Sequence, residues 1–149
     1  INNSPDAFLP GITNIVWIAF DNNGHSSSTS QRITVNACGH NYSDYHMIRG
    51  TIGDDVIQGT HGNDLIFGNG GINSIYGLAG DDCIFGGPSD DVIRGNSGSD
   101  QIFGNDGNDI IIGNSGNDLL FGNSGADFLL GGVGDDLMNG GLGFDVCSS

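Results

Sequence analysis

The sequence contains no lysine and no glutamate: all 18 acidic residues are aspartate, and only Arg32, Arg49 and Arg94 oppose them, leaving a formal net charge of −15 over 149 residues. A surface of that sign repels phosphate backbones, which excludes nucleic acid as a partner. No run of 18 apolar residues exists, so no membrane-spanning helix is expected, and no signal-peptide pattern is visible. Three cysteines are too few for a disulfide framework. Four histidines and many serines are present, yet no G-x-S-x-G, H-E-x-x-H or comparable arrangement accompanies them, so catalysis has no visible seat.

What the chain does have is period. Eleven consecutive nine-residue units run from Gly50 to Ser148. Numbering each unit one to nine, glycine opens every one: Gly50, Gly59, Gly68, Gly77, Gly86, Gly95, Gly104, Gly113, Gly122, Gly131 and Gly140. Position four is glycine except at Ser89. Position six is Asp55, Asp64, Asp82, Asp91, Asp100, Asp109, Asp118, Asp127, Asp136 and Asp145, with Asn73 in the third unit. Position eight is always apolar, from Ile57 through Ile66, Ile75, Ile84, Ile93, Ile102, Ile111, Leu120 and Leu129 to Met138 and Cys147. A flexible Gly/Asp linker would not place an apolar residue at every ninth position.

Glycine at positions one and four opens backbone angles closed to other residues, so the first six residues of a unit can form a tight turn. The last three then form a short strand with position eight on one side and positions seven and nine on the other. Such a strand cannot stand alone, so the units must stack. Two units per coil give an 18-residue period, with odd units stacked on odd and even on even. Strands about 4.8 Å apart would bring same-side aspartates close enough to repel unless a cation lies between them. Calcium suits such a place, since it takes six to eight hard oxygen ligands in flexible geometry.

The pattern resembles the RTX (hemolysin-type) calcium-binding nonapeptide G-G-x-G-x-D-x-U-x. The resemblance implies an all-β fold, a parallel β-roll solenoid with two nonapeptides per coil over residues 50–149. It also implies ions between neighbouring same-side turns, held by the position-six side chains and by turn carbonyls. Carried over, the carbonyls include those of Gly53, Gly62, Gly80, Gly98, Gly107, Gly116 and Gly125 at position four. At position one they are those of Gly68, Gly77, Gly86, Gly95, Gly104, Gly113, Gly122 and Gly131. Six odd turns make five gaps and five even turns make four, hence about nine Ca²⁺. Their charge, about +18, would bring the net −15 close to zero, so metal binding and folding are expected to be one event. Asn73 offers a neutral oxygen and Ser89 must adopt glycine-like angles, so the gaps Asp55/Asn73 and Asn73/Asp91 are expected to bind most weakly.

Residues 1–36 read as a hairpin: Ile15, Trp17 and Ala19 alternate with Val16, Ile18 and Phe20, Asp21-Asn22-Asn23-Gly24 offers a turn, and Gln31–Val35 returns. Residues 10–35 are similar to the last two strands of a bacterial immunoglobulin-like domain of the HYR type, which implies a partial domain. The alternative is a cap for the first coil, with 37–49 as linker. Cys147 occupies a core position and reads as a small buried hydrophobe. Cys38 lies in the linker and Cys83 at outward position seven, so the two could pair if the linker folds back. Cys38, His40 and His46 have a spacing that could bind zinc, although no fourth ligand is specified.

On the even units Phe67, Phe85, Phe103 and Phe121 recur at position nine, beside Leu65, Leu119 and Leu137 at position seven. The odd face is mixed at Gln58, Tyr76 and Arg94 and turns apolar at Ile110, Ile112, Phe128 and Leu130. These stripes fit either an aromatic ladder that stabilises short strands or an interface. Extracellular calcium modules bind at about 10⁻⁴ to 10⁻³ M, which points to a secreted protein whose sites fill outside the cell. The start at Ile1 rather than Met points to a processed or excised piece, and the acidic export signal often found after such repeats is missing.

Two functions follow. One is a non-catalytic extracellular calcium-binding structural or adhesive protein that folds on calcium and self-associates as a homo-oligomer or homopolymer, residues 1–49 of one subunit covering the next. The other is the calcium-folded C-terminal module of a larger secreted enzyme, toxin or adhesin exported by type I secretion. An ice- or surface-binding roll would show regular threonine ladders, and only Thr51 and Thr60 occur at position two.

Overall fold

A computed structural model describes residues 11–20 and 26–149, with side chains from residue 38 onward, Tyr42 aside. The chain divides into two units, 1–44 and 45–149. In the first, β1 (Gly11–Phe20) pairs antiparallel with β2 (Ser26–Ala37), Gly11 opposite Val35 and Phe20 opposite Ser26. This is the hairpin expected from the alternating pattern; its turn at Asp21-Asn22-Asn23-Gly24 lies outside the described residues. A short β3 (His40–Asn41) extends the sheet, and a single 3₁₀ turn spans Tyr42–Asp44.

The second unit is a parallel β-roll with two sheets. One contains β4 (His46–Arg49), β6 (Asp64–Phe67), β8 (Cys83–Gly87), β10 (Gln101–Asp106), β12 (Leu119–Ser124) and β14 (Leu137–Leu142) in that spatial order. The other contains β5 (Val56–Gln58), β7 (Ser74–Ala79), β9 (Val92–Ser97), β11 (Ile110–Ser115), β13 (Phe128–Val133) and β15 (Val146–Ser148). Every strand pairs with the one 18 residues away, as Ile102 with Ile84 and with Leu120. The chain therefore alternates between sheets at each nonapeptide, as the period requires.

Position eight fills the space between the sheets. Ile57, Ile66, Ile75, Ile84, Ile93, Ile102, Ile111, Leu120 and Leu129 form one buried cluster, with Ile48 and Met138 packed against it. This single column is the main apolar core of the roll. Cys147, read as another buried core residue, is instead an exposed free thiol, because β15 has a neighbour on only one side.

Three further features depart from the sequence pattern. Most strands run six residues rather than three, because pairing continues through positions one to three of the following unit, as Asn96 with Asn114 and Ser97 with Ser115. Position seven is not uniformly outward-facing: Leu65, flanked in the ladder by Met47 and Cys83, is wholly buried, as is Cys83 itself. The coil series also begins one unit earlier than the glycines indicate, since β4 places Ile48 in register with Ile66.

The phenylalanines form a continuous stack on the first sheet. Centroids of Phe67, Phe85, Phe103 and Phe121 lie 5.2, 4.9 and 5.0 Å apart with interplanar angles of 7–8°. That spacing is the strand spacing, so the in-register ladder brings the rings together without further adjustment, at about 0.5–1.5 kcal/mol per pair. Arg49 caps the stack, its guanidinium carbon 4.7 Å from the Phe67 centroid.

Candidate metal centre

The turns that join the sheets carry the chemistry. From Asn73 onward, each position-six side chain reaches back one coil, where its Oδ1 accepts the backbone N–H of the position-six residue 18 earlier. Nine such bonds of 2.7–3.1 Å run down the two flanks, from Asp55 donating to Asn73 through Asp127 donating to Asp145. The carboxylates are thereby fixed inside the turns: Asp82, Asp91, Asp100, Asp109, Asp118 and Asp127 are all buried, as is Asp64.

The second oxygen is left over. Oδ2 of Asp82, Asp91, Asp100, Asp109, Asp118, Asp127 and Asp136 is buried and meets no hydrogen-bond donor. A buried carboxylate oxygen without a donor is costly, and a repeated series of them marks a missing counterpart. What surrounds each is visible at the position-one glycines. A Cβ on Gly86 would lie 2.6 Å from Asp91 Oδ2 and 2.8 Å from the carbonyl oxygen of Gly104 in the next coil. The same pair of oxygens crowds the α-carbons of Gly77, Gly104, Gly113 and Gly122. The position-one glycines therefore serve space, not backbone angle: none has the left-handed φ expected of it.

The pocket beside each of these glycines is thus bounded by hard oxygens. A group that fits must be cationic and accept oxygen ligands in irregular number, which describes calcium. Position-six carboxylates and the position-one carbonyls of Gly68, Gly77, Gly95, Gly104, Gly122 and Gly131 are brought to one another, whereas the carbonyl of Gly86 is brought to the Asn73 amide. The position-four carbonyls of Gly53, Gly62, Gly80, Gly98, Gly107, Gly116 and Gly125 form a separate column, each against the α-carbon of the next same-side position-four glycine. A bound calcium ion would supply the positive charge that the buried Oδ2 atoms lack. The chain's own part is to hold those oxygens in place through the Oδ1 bonds and to exclude side chains from the space beside them.

Burial raises the carboxyl pKa of Asp82 to about 8 and those of Asp100 and Asp109 to about 7, from 3.8. The backbone N–H that each accepts works against the rise, and neighbouring aspartates add to it. Asp91, Asp118 and Asp127 are raised for the same first cause. Acids with raised pKa bind protons more tightly folded than unfolded. Their contribution to the metal-free fold is complete below the ordinary carboxyl value and is lost as pH rises through about 7 to 8. In excess chelator, β-sheet circular dichroism is therefore expected to appear on acidification from pH 8 to pH 4 and to vanish on return. A spectrum that loses β signal on acidification would contradict this.

Several site residues were not evident from the repeat. Thr51 and Thr60, at position two of the first two units, donate both N–H and hydroxyl to the carboxylates of Asp55 and Asp64. Asn73 directs its amide Nδ2 toward the place where aspartates put Oδ2, 2.9 Å from a Cβ on Gly68, and donates to the Gly71 carbonyl. His46, at position six of the early unit, lies 3.2 Å from Asp64 through Nδ1. Position five forms an outer ladder: side-chain oxygens of Asp54, Asn63, Asp81, Asp90, Asn108 and Asn117 accept position-five N–H groups one coil on. The signal for it is Asp, Asn or Ser at position five in eight of eleven units.

Ser89 corrects another expectation. The left-handed residues of the later turns are those at position two, including Asn96, Asn105, Asn114 and Asn123, and the position-four glycines. Ser89 is not among them, so it needs no glycine-like angle. Cys38 is disulfide-bonded, which removes a thiolate from the zinc spacing, and Cys83 is disulfide-bonded too. Among the described residues no three His, Cys, Asp or Glu side chains converge.

Four overlapping segments, 47–75, 59–91, 85–120 and 112–147, match the family model of the RTX calcium-binding nonapeptide repeat. No curated protein sequence matches the chain significantly.

Proposed function

Because the chain belongs to the RTX calcium-binding nonapeptide repeat family, we propose that its β-roll is a calcium-folded, non-catalytic structural or adhesive element that works outside the cell and associates with copies of itself. The observation that carries calcium as the ligand is the series of buried, donorless Oδ2 atoms, with those of Asp82, Asp91, Asp109, Asp118 and Asp127 beside a carbonyl of the next coil. An extracellular site of action is favoured by the usual affinity of such modules, about 10⁻⁴ to 10⁻³ M, which leaves them empty in cytosol.

Self-association is favoured by the second sheet. Its position-seven column runs Val56, Ser74, Val92, Ile110, Phe128 and Val146, and of its apolar members Val56, Ile110, Phe128 and Val146 are 77, 42, 40 and 56% exposed while Val92 is half-buried. Neighbouring exposed apolar side chains at strand spacing, as Ile110, Phe128 and Val146 are, suit a second copy of the same ladder, and such patches mark interaction surfaces when contiguous. Light scattering in millimolar calcium is expected to give a mass of at least two chains, falling to one chain in the double variant Ile110→Ser, Phe128→Ser. A strictly monomeric wild type would exclude self-association; an unchanged assembly in the variant would exclude this face as its seat.

A further inference from the structure

We infer that calcium enters this roll only from the fourth turn onward, in six gaps, and that the first three turns close without metal. The inference rests on calcium being the ligand of the later turns, and it concerns which of this chain's turns need it.

The first two turns differ from the rest in backbone as well as in side chain. At position two, every unit from the third onward is left-handed: Asn69, Leu78, Gly87, Asn96, Asn105, Asn114, Asn123, Gly132 and Gly141. Thr51 and Thr60 are not, and their position-four partners Gly53 and Gly62 are not either. The cause is local. A β-branched residue is excluded from positive φ, whereas asparagine and glycine accept it. With ordinary φ, the N–H of Thr51 points at Asp55 Oδ2 at 2.6 Å, and the hydroxyl adds a second donor at 2.9 Å. Thr60 does the same for Asp64 at 2.6 and 3.1 Å. The two carboxylate oxygens that correspond to the later orphans are already supplied with donors.

The third turn reaches the same result by another route. Its position-six residue presents an N–H donor, Asn73 Nδ2, where the later turns present an oxygen, and that donor is taken up by the Gly71 carbonyl at 3.1 Å. A donor pointing into the pocket repels a cation. Of the nine gaps, three are thus owned by Asp55, Asp64 and Asn73, and 9 − 3 leaves six, owned by Asp82, Asp91, Asp100, Asp109, Asp118 and Asp127. All six owners have an orphaned Oδ2. Asp136 has one as well, but β14 is the last strand of its sheet and no further same-side turn closes that pocket.

The first coils therefore form a pre-satisfied start on which metal-dependent coils stack. His46 extends that start, its ring nitrogen 3.2 Å from Asp64 where later coils present a carboxylate to the preceding turn.

The test is the number of calcium ions bound per full-length chain, read by elemental mass spectrometry at equilibrium with about 10 mM free calcium, roughly ten- to a hundredfold above the dissociation constants of such modules. Six are expected for the wild type. The triple variant Thr51→Asn, Thr60→Asn, Asn73→Asp converts the first turns to the later kind and is expected to raise the count to nine. Nine ions in the wild type would overturn the inference while leaving calcium as the ligand, as would a folded triple variant that still holds six. If that variant does not fold, the wild-type count alone decides. No retained calcium would overturn the calcium reading itself.

Discussion

Removing calcium is expected to abolish the β-sheet signal of the roll almost entirely at neutral pH. The apolar core is one column of nine side chains with Leu65 and Cys83 buried beside it, too thin to compensate for two flanks of buried carboxylates. A site filled a hundredfold above its dissociation constant stabilises the fold by about 2.7 kcal/mol, so six sites contribute roughly 16 kcal/mol. That equals or exceeds the whole stability of an ordinary domain, about 5–15 kcal/mol. Folding without metal therefore fails by a wide margin, and titration of calcium into chelated protein should restore the circular dichroism cooperatively. Magnesium at the same concentration should not, since it demands near-octahedral geometry and keeps its waters. A β-sheet spectrum unchanged in excess chelator at pH 7.5 would contradict the link between metal and fold.

A single methyl group in the right turn is expected to act almost as strongly on one site. In Gly104→Ala the new Cβ would collide with Asp109 Oδ2 and lie 2.9 Å from the carbonyl oxygen of Gly122, filling the pocket between them. Overpacking costs about 1–3 kcal/mol. Loss of the ion there adds about 2.7 kcal/mol at a hundredfold excess. Denaturant unfolding in saturating calcium should show a loss of about 4–6 kcal/mol, and the ion count should fall by one. Gly53→Ala is the control, because its nearest neighbour, Thr51 Oγ1, lies 3.9 Å away and its φ is not left-handed. It should change stability by no more than about 0.5 kcal/mol. Equal effects at the two glycines would contradict clearance beside the carboxylate as the role of position one.

The architecture was legible because a period of nine with one apolar residue per period leaves few alternatives. Ile57 to Leu129 point inward and pair 18 apart for the same reason that the pattern is visible at all. The carboxylate columns were legible too, since position six is the only acidic position shared by nearly all units. What was not legible depends on neighbours rather than period. The early coil strand was hidden because its unit lacks an opening glycine and has His46 in place of aspartate, although Ile48 stands nine residues before Ile57. The burial of Leu65 and Cys83 depends on what lies over position seven. The role of the position-one glycines could not be separated from that of position four by composition, since one serves clearance and the other left-handed backbone. Thr51 and Thr60 looked like sparse departures at a variable position, yet they decide whether a carboxylate oxygen already has its donors.

The most direct measurement is anomalous X-ray scattering from crystals of the calcium-loaded chain. Peaks are expected about 2.3–2.6 Å from the Oδ2 atoms of Asp82, Asp91, Asp100, Asp109, Asp118 and Asp127, with a carbonyl of the next coil in the same shell. Buried Oδ2 atoms that meet only water or a neighbouring protonated carboxyl in saturating calcium would contradict calcium as the counterpart of the carboxylate columns.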